Sequence, residues 1–156
     1  MADPASNGST APRLRELVDT YRGILARYEE IVELSREERR LLAEREPIGG
    51  VNTILHEKKR LLAEIRAEEE RVTGAREWWK KVRRSLPPRD GKDLLSLLDA
   101  ISRCVEMSLA LEGECRELLT RTAAWGAPRV AAGSASARAA GASAAAAYAR
   151  AAGGER

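Results

Sequence analysis

A stripe of apolar and small side chains, spaced alternately three and four residues apart, constrains this chain more than any other feature of its sequence. The stripe is most regular between residues 94 and 125, where its members are Leu94, Leu97, Ile101, Cys104, Ser108, Leu111, Cys115, Leu118, Thr122 and Trp125. Such a heptad spacing places all these side chains on one face of an α-helix and favours packing against another helix. The sequence therefore predicts an all-α fold.

Similar stripes precede this one and predict two more long helices. We expect helices over residues 11–46, 51–86 and 91–125, with Asn52 or Thr53 capping the second one. Gly49 and Gly50 follow a proline and accept the positive φ angles that a reversal needs, so we expect the chain to fold back there. The second helix is expected to be weaker around Gly74, and two consecutive prolines end it.

These elements predict an elongated antiparallel three-helix coiled-coil-like bundle formed by residues 11–126. Residues 1–10 are small and polar and are expected to be disordered. Residues 127–156 are rich in Ala, Gly and Ser and are expected to form a flexible, disordered tail, because they offer almost nothing to bury. The composition agrees with a thin, solvated body, since 33% of the 156 residues are charged and only 4% are aromatic.

No group of residues in the sequence suggests catalysis, a cofactor or a metal. His56 is the sole histidine and has no ligand partners at zinc spacing, and no glycine-rich phosphate loop is present. Cys104 and Cys115 would lie about 16 Å apart on one helix, which is too far for a disulfide. With no signal peptide and no run of about 20 apolar residues, we expect a reduced, cytoplasmic, non-enzymatic protein without membrane insertion.

A basic segment beside two tryptophans is the strongest local charge feature. It consists of Trp78, Trp79, Lys80, Lys81, Arg83 and Arg84. Basic residues in the last turns of a helix stabilise its negative dipole end, and a tryptophan can cap a bundle, so a structural role is the first interpretation. A recruitment surface is the second. A net charge of only +3 does not by itself favour nucleic acid as a partner.

One stretch of the second helix resembles a known family. Leu55-x-x-Lys58-x-x-Leu61-Leu62-x-x-Ile65, preceded by a turn, is similar to the FlgN family of flagellar export chaperones, and the likeness extends over residues 13–125. The family's Gly-Asp turn is replaced here by Pro47-Ile48-Gly49-Gly50. The resemblance implies a cytoplasmic chaperone that holds the C-terminal helical segments of hook-filament junction (hook-associated) proteins and delivers them to the gate or ATPase components of the type III export apparatus.

The third helix is the expected client-binding element, because it carries more apolar residues than one neighbour can cover. The candidate client-binding residues are Leu98, Ile101, Val105, Met107, Leu109, Leu111 and Leu119. A partner helix laid along them would bury side chains at helical spacing and would need no catalytic group. Two alternatives stay open: these residues face the other helices of a closed bundle, or the protein is a structural coiled coil, such as a homodimer or a stalk component of an export apparatus.

Overall fold

The computed structural model describes the backbone of residues 7–124 and the side chains of residues 10–122. The described part of the chain consists of helices, turns and bends without any β-strand, so the predicted all-α class is confirmed. Its helices are α1 (Asn7–Ala43), α2 (Ile48–Arg71), α3 (Thr73–Val82) and α4 (Lys92–Ala124). The predicted tail at 127–156 lies outside the described residues.

Helix α1 begins four residues before the predicted start, at Asn7, and therefore includes part of the segment expected to be disordered. Pro12 lies inside α1 rather than at its first position. Since proline has no N–H, it cannot donate to the carbonyl of Gly8, and the first turn is held to the rest of the helix by fewer hydrogen bonds. The fixed φ of proline is nevertheless helical, which lets α1 continue through it.

Helix α1 ends in a Schellman motif, and the residue with positive φ is Arg45 rather than a glycine. Arg45 has φ 57°, its N–H donates to the Leu42 carbonyl, and the Glu46 N–H donates to the Leu41 carbonyl at 2.9 Å. The expectation that Gly49 and Gly50 make the reversal is wrong, because the chain has already turned at Arg45 and both glycines belong to α2.

The start of α2 also differs from the predicted capping. Pro47 occupies the N-cap position and makes no side-chain capping hydrogen bond. Thr53, a predicted cap, lies inside the helix, where its hydroxyl donates to the Gly49 carbonyl at 3.0 Å. Proline is a suitable residue at a helix start because the first N–H groups have no intrahelical partner.

The predicted second helix is divided in two at Val72, which has φ −101° and ψ 14°. Two local causes lie beside it. The Thr73 hydroxyl donates to the Glu70 carbonyl at 2.9 Å and so competes with the regular backbone pattern, and Gly74 has low helix propensity. Val72 itself is buried, which fixes the junction between α2 and α3 against the core.

The helices form a bundle in which α1 is the central element. Cα atoms of α1 approach those of α2, α3 and α4 within 8 Å, whereas the Cα atoms of α4 stay farther than that from those of α2 and α3 throughout the described residues. The hydrophobic core contains side chains from every helix: Leu14, Leu17, Tyr21, Ile24, Tyr28, Ile31, Leu61, Ile65, Val72, Trp79, Leu94 and Ile101. Helix α4 consequently packs most closely on α1, and α2 and α3 meet it through side chains rather than through close backbone approach.

Candidate functional site

Helix α4 carries all of the large apolar side chains that are strongly exposed among the described residues. These are Leu95, Met107 and Leu109, with 52%, 44% and 39% of their surface exposed. Leu95 and Leu109 lie on the same side of α4 as the half-buried Leu98 and Val105, with which they repeat at heptad spacing. We call these four residues the α4 outer stripe.

The structure does not place the seven predicted client-binding residues on one surface. Ile101, Leu111 and Leu119 are buried in the bundle. Leu98 and Val105 are half-buried and pack against the core cluster, so they belong to the inner edge of the outer stripe.

The two remaining predicted residues, Met107 and Leu109, are exposed but on different sides of α4. Met107 lies on the α1 side, where its sulfur accepts a hydrogen bond from a guanidinium nitrogen of Arg36 at 3.2 Å. Leu109 belongs to the α4 outer stripe. Only one of the seven, Leu109, is thus an exposed member of the α4 outer stripe.

The tryptophan pair is divided between core and surface. Trp79 is buried in the core cluster, whereas Trp78 is half-buried and lies beneath the Arg13 guanidinium, whose carbon is 5.6 Å from the ring centre. This distance is within the range of a cation–π contact. The exposed Lys80 forms an ion pair with Glu77 at 3.2 Å. Both indoles therefore have structural contacts, as the structural interpretation expected.

A cleft lies beside the buried tryptophan at the turn between α3 and α4. It has a volume of about 270 Å³ and is lined by Trp79, Arg83, Arg84, Leu86, Pro87, Pro88, Gly91 and Leu95. Sequence reasoning identified the basic residues of this region but not the apolar floor, because Leu86, Pro87 and Pro88 were interpreted only as the end of a helix.

A buried ionic cluster at the junction of α1, α2 and α4 was missed by the sequence analysis. The Lys58 ammonium lies 2.8 Å from a carboxylate oxygen of Glu38 and 3.8 Å from one of Glu112. Lys58 and Glu38 are almost fully buried, and the Glu112 side chain is 17% exposed. Burial raises the pKa of the Glu112 carboxyl, and although the nearby Lys58 ammonium opposes that rise, the net shift stays upward.

The spacing of the apolar positions on α1 and α2 could have indicated that Lys58 and Glu38 are buried. The buried residues of α2 are Val51, Ile54, Lys58, Leu61 and Ile65, which alternate steps of three and four with Lys58 at the centre. Glu38 follows the buried Ser35 by three residues on the α1 stripe. A lysine and a glutamate in apolar seam positions on two different helices indicate a buried pair, because such charges are rarely buried alone.

The thiols and the histidine show no reactive environment. Burial raises the pKa of Cys115 to about 12, and burial also raises the pKa of Cys104. His56 is exposed on α2. Within the described part of the chain, no three side chains of the metal-ligating types converge on one point, and none of its helices has the length and apolarity that a membrane crossing requires.

Comparisons of the chain with known protein families, with curated proteins and with solved structures find no match. The resemblance to the FlgN family therefore stays a prediction.

Proposed function

We propose that this protein binds an amphipathic helix of a partner along α4, and that it acts as a cytoplasmic flagellar export chaperone for hook-associated proteins. The observation that carries helix binding is the α4 outer stripe, in which Leu95 and Leu109 are exposed beside the half-buried Leu98 and Val105. Exposed apolar patches on otherwise well-packed proteins commonly mark interaction sites. The identity of the client rests on the sequence resemblance alone.

We infer an up-down-up arrangement of the helical segments, and the ion pairs and hydrogen bonds support it. From α2 to α1, Lys58 contacts Glu38, while Arg71 reaches back to Thr20, so the two helices run in opposite directions. From α1 to α4, Arg36 contacts Met107 and Arg39 contacts Glu114, so these two run in the same direction. Helices α1 and α4 would then lie side by side in parallel orientation, with α2 and α3 running in the opposite direction.

The α4 outer stripe is exposed at Leu95 and Leu109, and the Cα atoms of α2 and α3 lie more than 8 Å from those of α4. A partner helix docked there would cover Leu95 and Leu109 and would extend the core beyond Leu98 and Val105. Leu95 and Leu109 are already about half covered, so burying the rest of both contributes only roughly 1.5–3 kcal/mol in total. A partner helix must therefore also contact neighbouring residues of α4 to offset the entropic cost of association. The protein would act by binding, without a catalytic step.

The variant Leu109→Glu tests this proposal. Leu109 is exposed, so the fold should tolerate the change, while a carboxylate inside an apolar interface would lose its hydration. The measurement is fluorescence anisotropy of labelled peptides that correspond to the C-terminal helices of the hook-associated proteins of the same genome. We expect binding to the unmodified chain and a loss of about tenfold or more with Leu109→Glu.

Ala110→Glu is the matched control, because it adds the same charge to an exposed position on another side of α4. Its binding and its thermal melting should equal those of the unmodified protein. Equal weakening by both variants, or absence of binding to every peptide, would refute the proposed use of the α4 outer stripe.

A structural coiled-coil role is the second candidate, favoured by the heptad spacing of Leu95 and Leu109. Two copies of the chain could pair these stripes, as residues of coiled-coil dimers do. Sedimentation equilibrium distinguishes the two functions. A dimer that Leu109→Glu converts to a monomer would support self-association in place of client binding.

A further inference from the structure

The turn between α3 and α4 concentrates positive charge around an apolar cleft. Seven basic and three acidic residues lie between Arg76 and Asp93, which gives this segment a net charge of +4, compared with +3 for the whole chain. Lys80 and Arg89 have acidic neighbours, at 3.2 and 3.6 Å. Lys81 and Arg84 have no ion-pair partner among the described residues.

The floor of the cleft is apolar and closely packed. Gly91 lies flat against the Trp79 ring, since a Cβ atom on this glycine would be only 2.4 Å from an indole carbon. Pro87 and Pro88, which also line the cleft, restrict the backbone of the turn. The Asp90 N–H donates to the Pro87 carbonyl at 3.0 Å, which closes the turn. A cleft that is already formed does not need to be ordered when a ligand binds.

The size of the cleft limits its ligand to one bulky side chain. Its volume of about 270 Å³ lies below the range of about 300–1,000 Å³ that is usual for sites of whole cofactors or drug-sized molecules. Arg84 and Arg83 line the same cleft as Leu95 and Trp79. Arginine guanidinium groups bind carboxylates in a forked geometry, so an apolar group flanked by carboxylates matches this site.

We propose that this cleft binds a short acidic peptide segment of a partner protein, with one bulky apolar side chain against Leu86 and Leu95 beside the buried Trp79 and a neighbouring carboxylate on Arg84. The contacts of the two tryptophans favour a peptide over nucleic acid. Base stacking needs an open aromatic face, whereas Trp79 is buried and Trp78 is covered by Arg13. This site shares Leu95 with the α4 outer stripe but does not include Leu109, and it does not require the proposed chaperone function.

The test uses the full 156-residue chain and a fluorescein-labelled nine-residue probe, a leucine with four glutamates on each side. Anisotropy is measured at about 0.15 M salt, where distant charges are largely screened. We expect saturable binding, which Arg84→Glu weakens about tenfold or more and Leu95→Ser about fivefold. A probe with serine in place of leucine should bind about fivefold more weakly as well.

Arg103→Glu provides the control for charge, because Arg103 is an exposed arginine of α4 outside the cleft. We expect it to change the affinity less than twofold, and Leu109→Glu should leave it unchanged, so this proposal and the chaperone proposal fail separately. Circular dichroism of each variant verifies the fold.

Three outcomes would overturn the proposal. The first is no saturable binding of the leucine probe, and the second is equal weakening by Arg84→Glu and Arg103→Glu. The third is displacement of the probe by single-stranded DNA or by anionic phospholipid vesicles. If such a competitor binds more tightly than the probe and loses affinity with Arg84→Glu, the cleft is a site for that competitor and not for an acidic peptide.

Discussion

Replacing Lys58 by methionine should destabilise the bundle strongly, because among the described residues this lysine is the one cation within 4 Å of both Glu38 and Glu112. Its ammonium lies 2.8 Å from Glu38 and 3.8 Å from Glu112. Methionine keeps most of the apolar stem that lysine already buries, so the substitution mainly removes the charge. The cluster would change from one cation with two anions to two anions without a cation.

The size of the effect has an upper bound. Removal of one partner of a buried ion pair costs about 3–5 kcal/mol. An isolated carboxylate can escape this penalty by binding a proton, which at pH 7 costs about 4 kcal/mol for a carboxyl of ordinary pKa. We therefore expect Lys58→Met to lower the free energy of unfolding by about 3–4 kcal/mol at pH 7, a large part of the 5–15 kcal/mol typical of folded domains.

The effect should depend on pH with a defined sign. In the variant, burial without the ammonium raises the carboxyl pKa values in the folded state above those of the unfolded chain. Folding then takes up protons, so the variant gains stability as the pH falls through the raised folded pKa towards the unfolded value and loses stability as the pH rises again. Because the pKa of Glu112 is already raised, its contribution in the unmodified protein has the same sign.

The assay is urea unfolding followed by circular dichroism at pH 7 and pH 5. Lys59→Met is the matched control, since Lys59 is the exposed neighbour on α2 and its loss should change stability by less than about 0.5 kcal/mol. Adding Glu38→Gln to Lys58→Met should recover part of the loss. The reasoning is refuted if Lys58→Met resembles Lys59→Met at pH 7, or if its loss is as large at pH 5 as at pH 7.

Three further predictions concern local contacts. Arg45→Gly should be more stable than Arg45→Ala by about 1 kcal/mol in thermal or urea unfolding, because glycine adopts the φ of 57° without a Cβ penalty, and equal stabilities would contradict this. Gly91→Ala should lower the free energy of unfolding by about 1–3 kcal/mol, because the new Cβ would meet an indole carbon of Trp79. Gly113→Ala is the control and should raise the melting temperature, because no atom lies within 4 Å of its new Cβ. An unchanged stability of Gly91→Ala would show that the turn can move to accept the methyl group. In a Cys104→Ser variant at pH 8, Cys115 of the folded protein should react with a thiol reagent far more slowly than Cys115 of the denatured protein. A pKa of about 12 leaves on the order of a thousandfold less thiolate in the folded protein than in the unfolded chain. Similar rates in both states would mean that this thiol is accessible in the folded protein.

The heptad pattern predicted the fold class and α4 well, since periodic apolar spacing records which side of a helix is buried. Helix α4 begins at Lys92, one residue after the predicted position. The turn after α1 was predicted at the wrong residue. Gly49 and Gly50 are the obvious candidates for positive φ because glycine adopts it without strain. The residue with positive φ is nevertheless Arg45, where the two hydrogen bonds of the Schellman motif satisfy the last carbonyl groups of α1.

The two candidate surfaces were harder to predict because they depend on how the helices pack. The apolar residues of α4 occur on several sides, and only the position of α1 decides that Ile101 and Leu111 are buried while Leu95 and Leu109 are exposed. The cleft beside Trp79 likewise combines the end of α3 with the start of α4. Single-helix periodicity contains no information about such combinations.

The buried ionic cluster gives the bundle a preference for one register. Regular apolar stripes alone would allow α2 to slide along α1 by one heptad, about 10 Å, with little loss of apolar contact. Such a slip would place Lys58 opposite Ile31 and Glu38 opposite Val51, which leaves both charges buried and unpaired. A penalty of several kilocalories per mole then opposes the slipped state, as a single polar residue in a coiled-coil seam does. Because Glu112 also contacts Lys58, the same penalty fixes the position of α4, and its outer stripe stays in a constant place relative to the cleft at the α3–α4 turn.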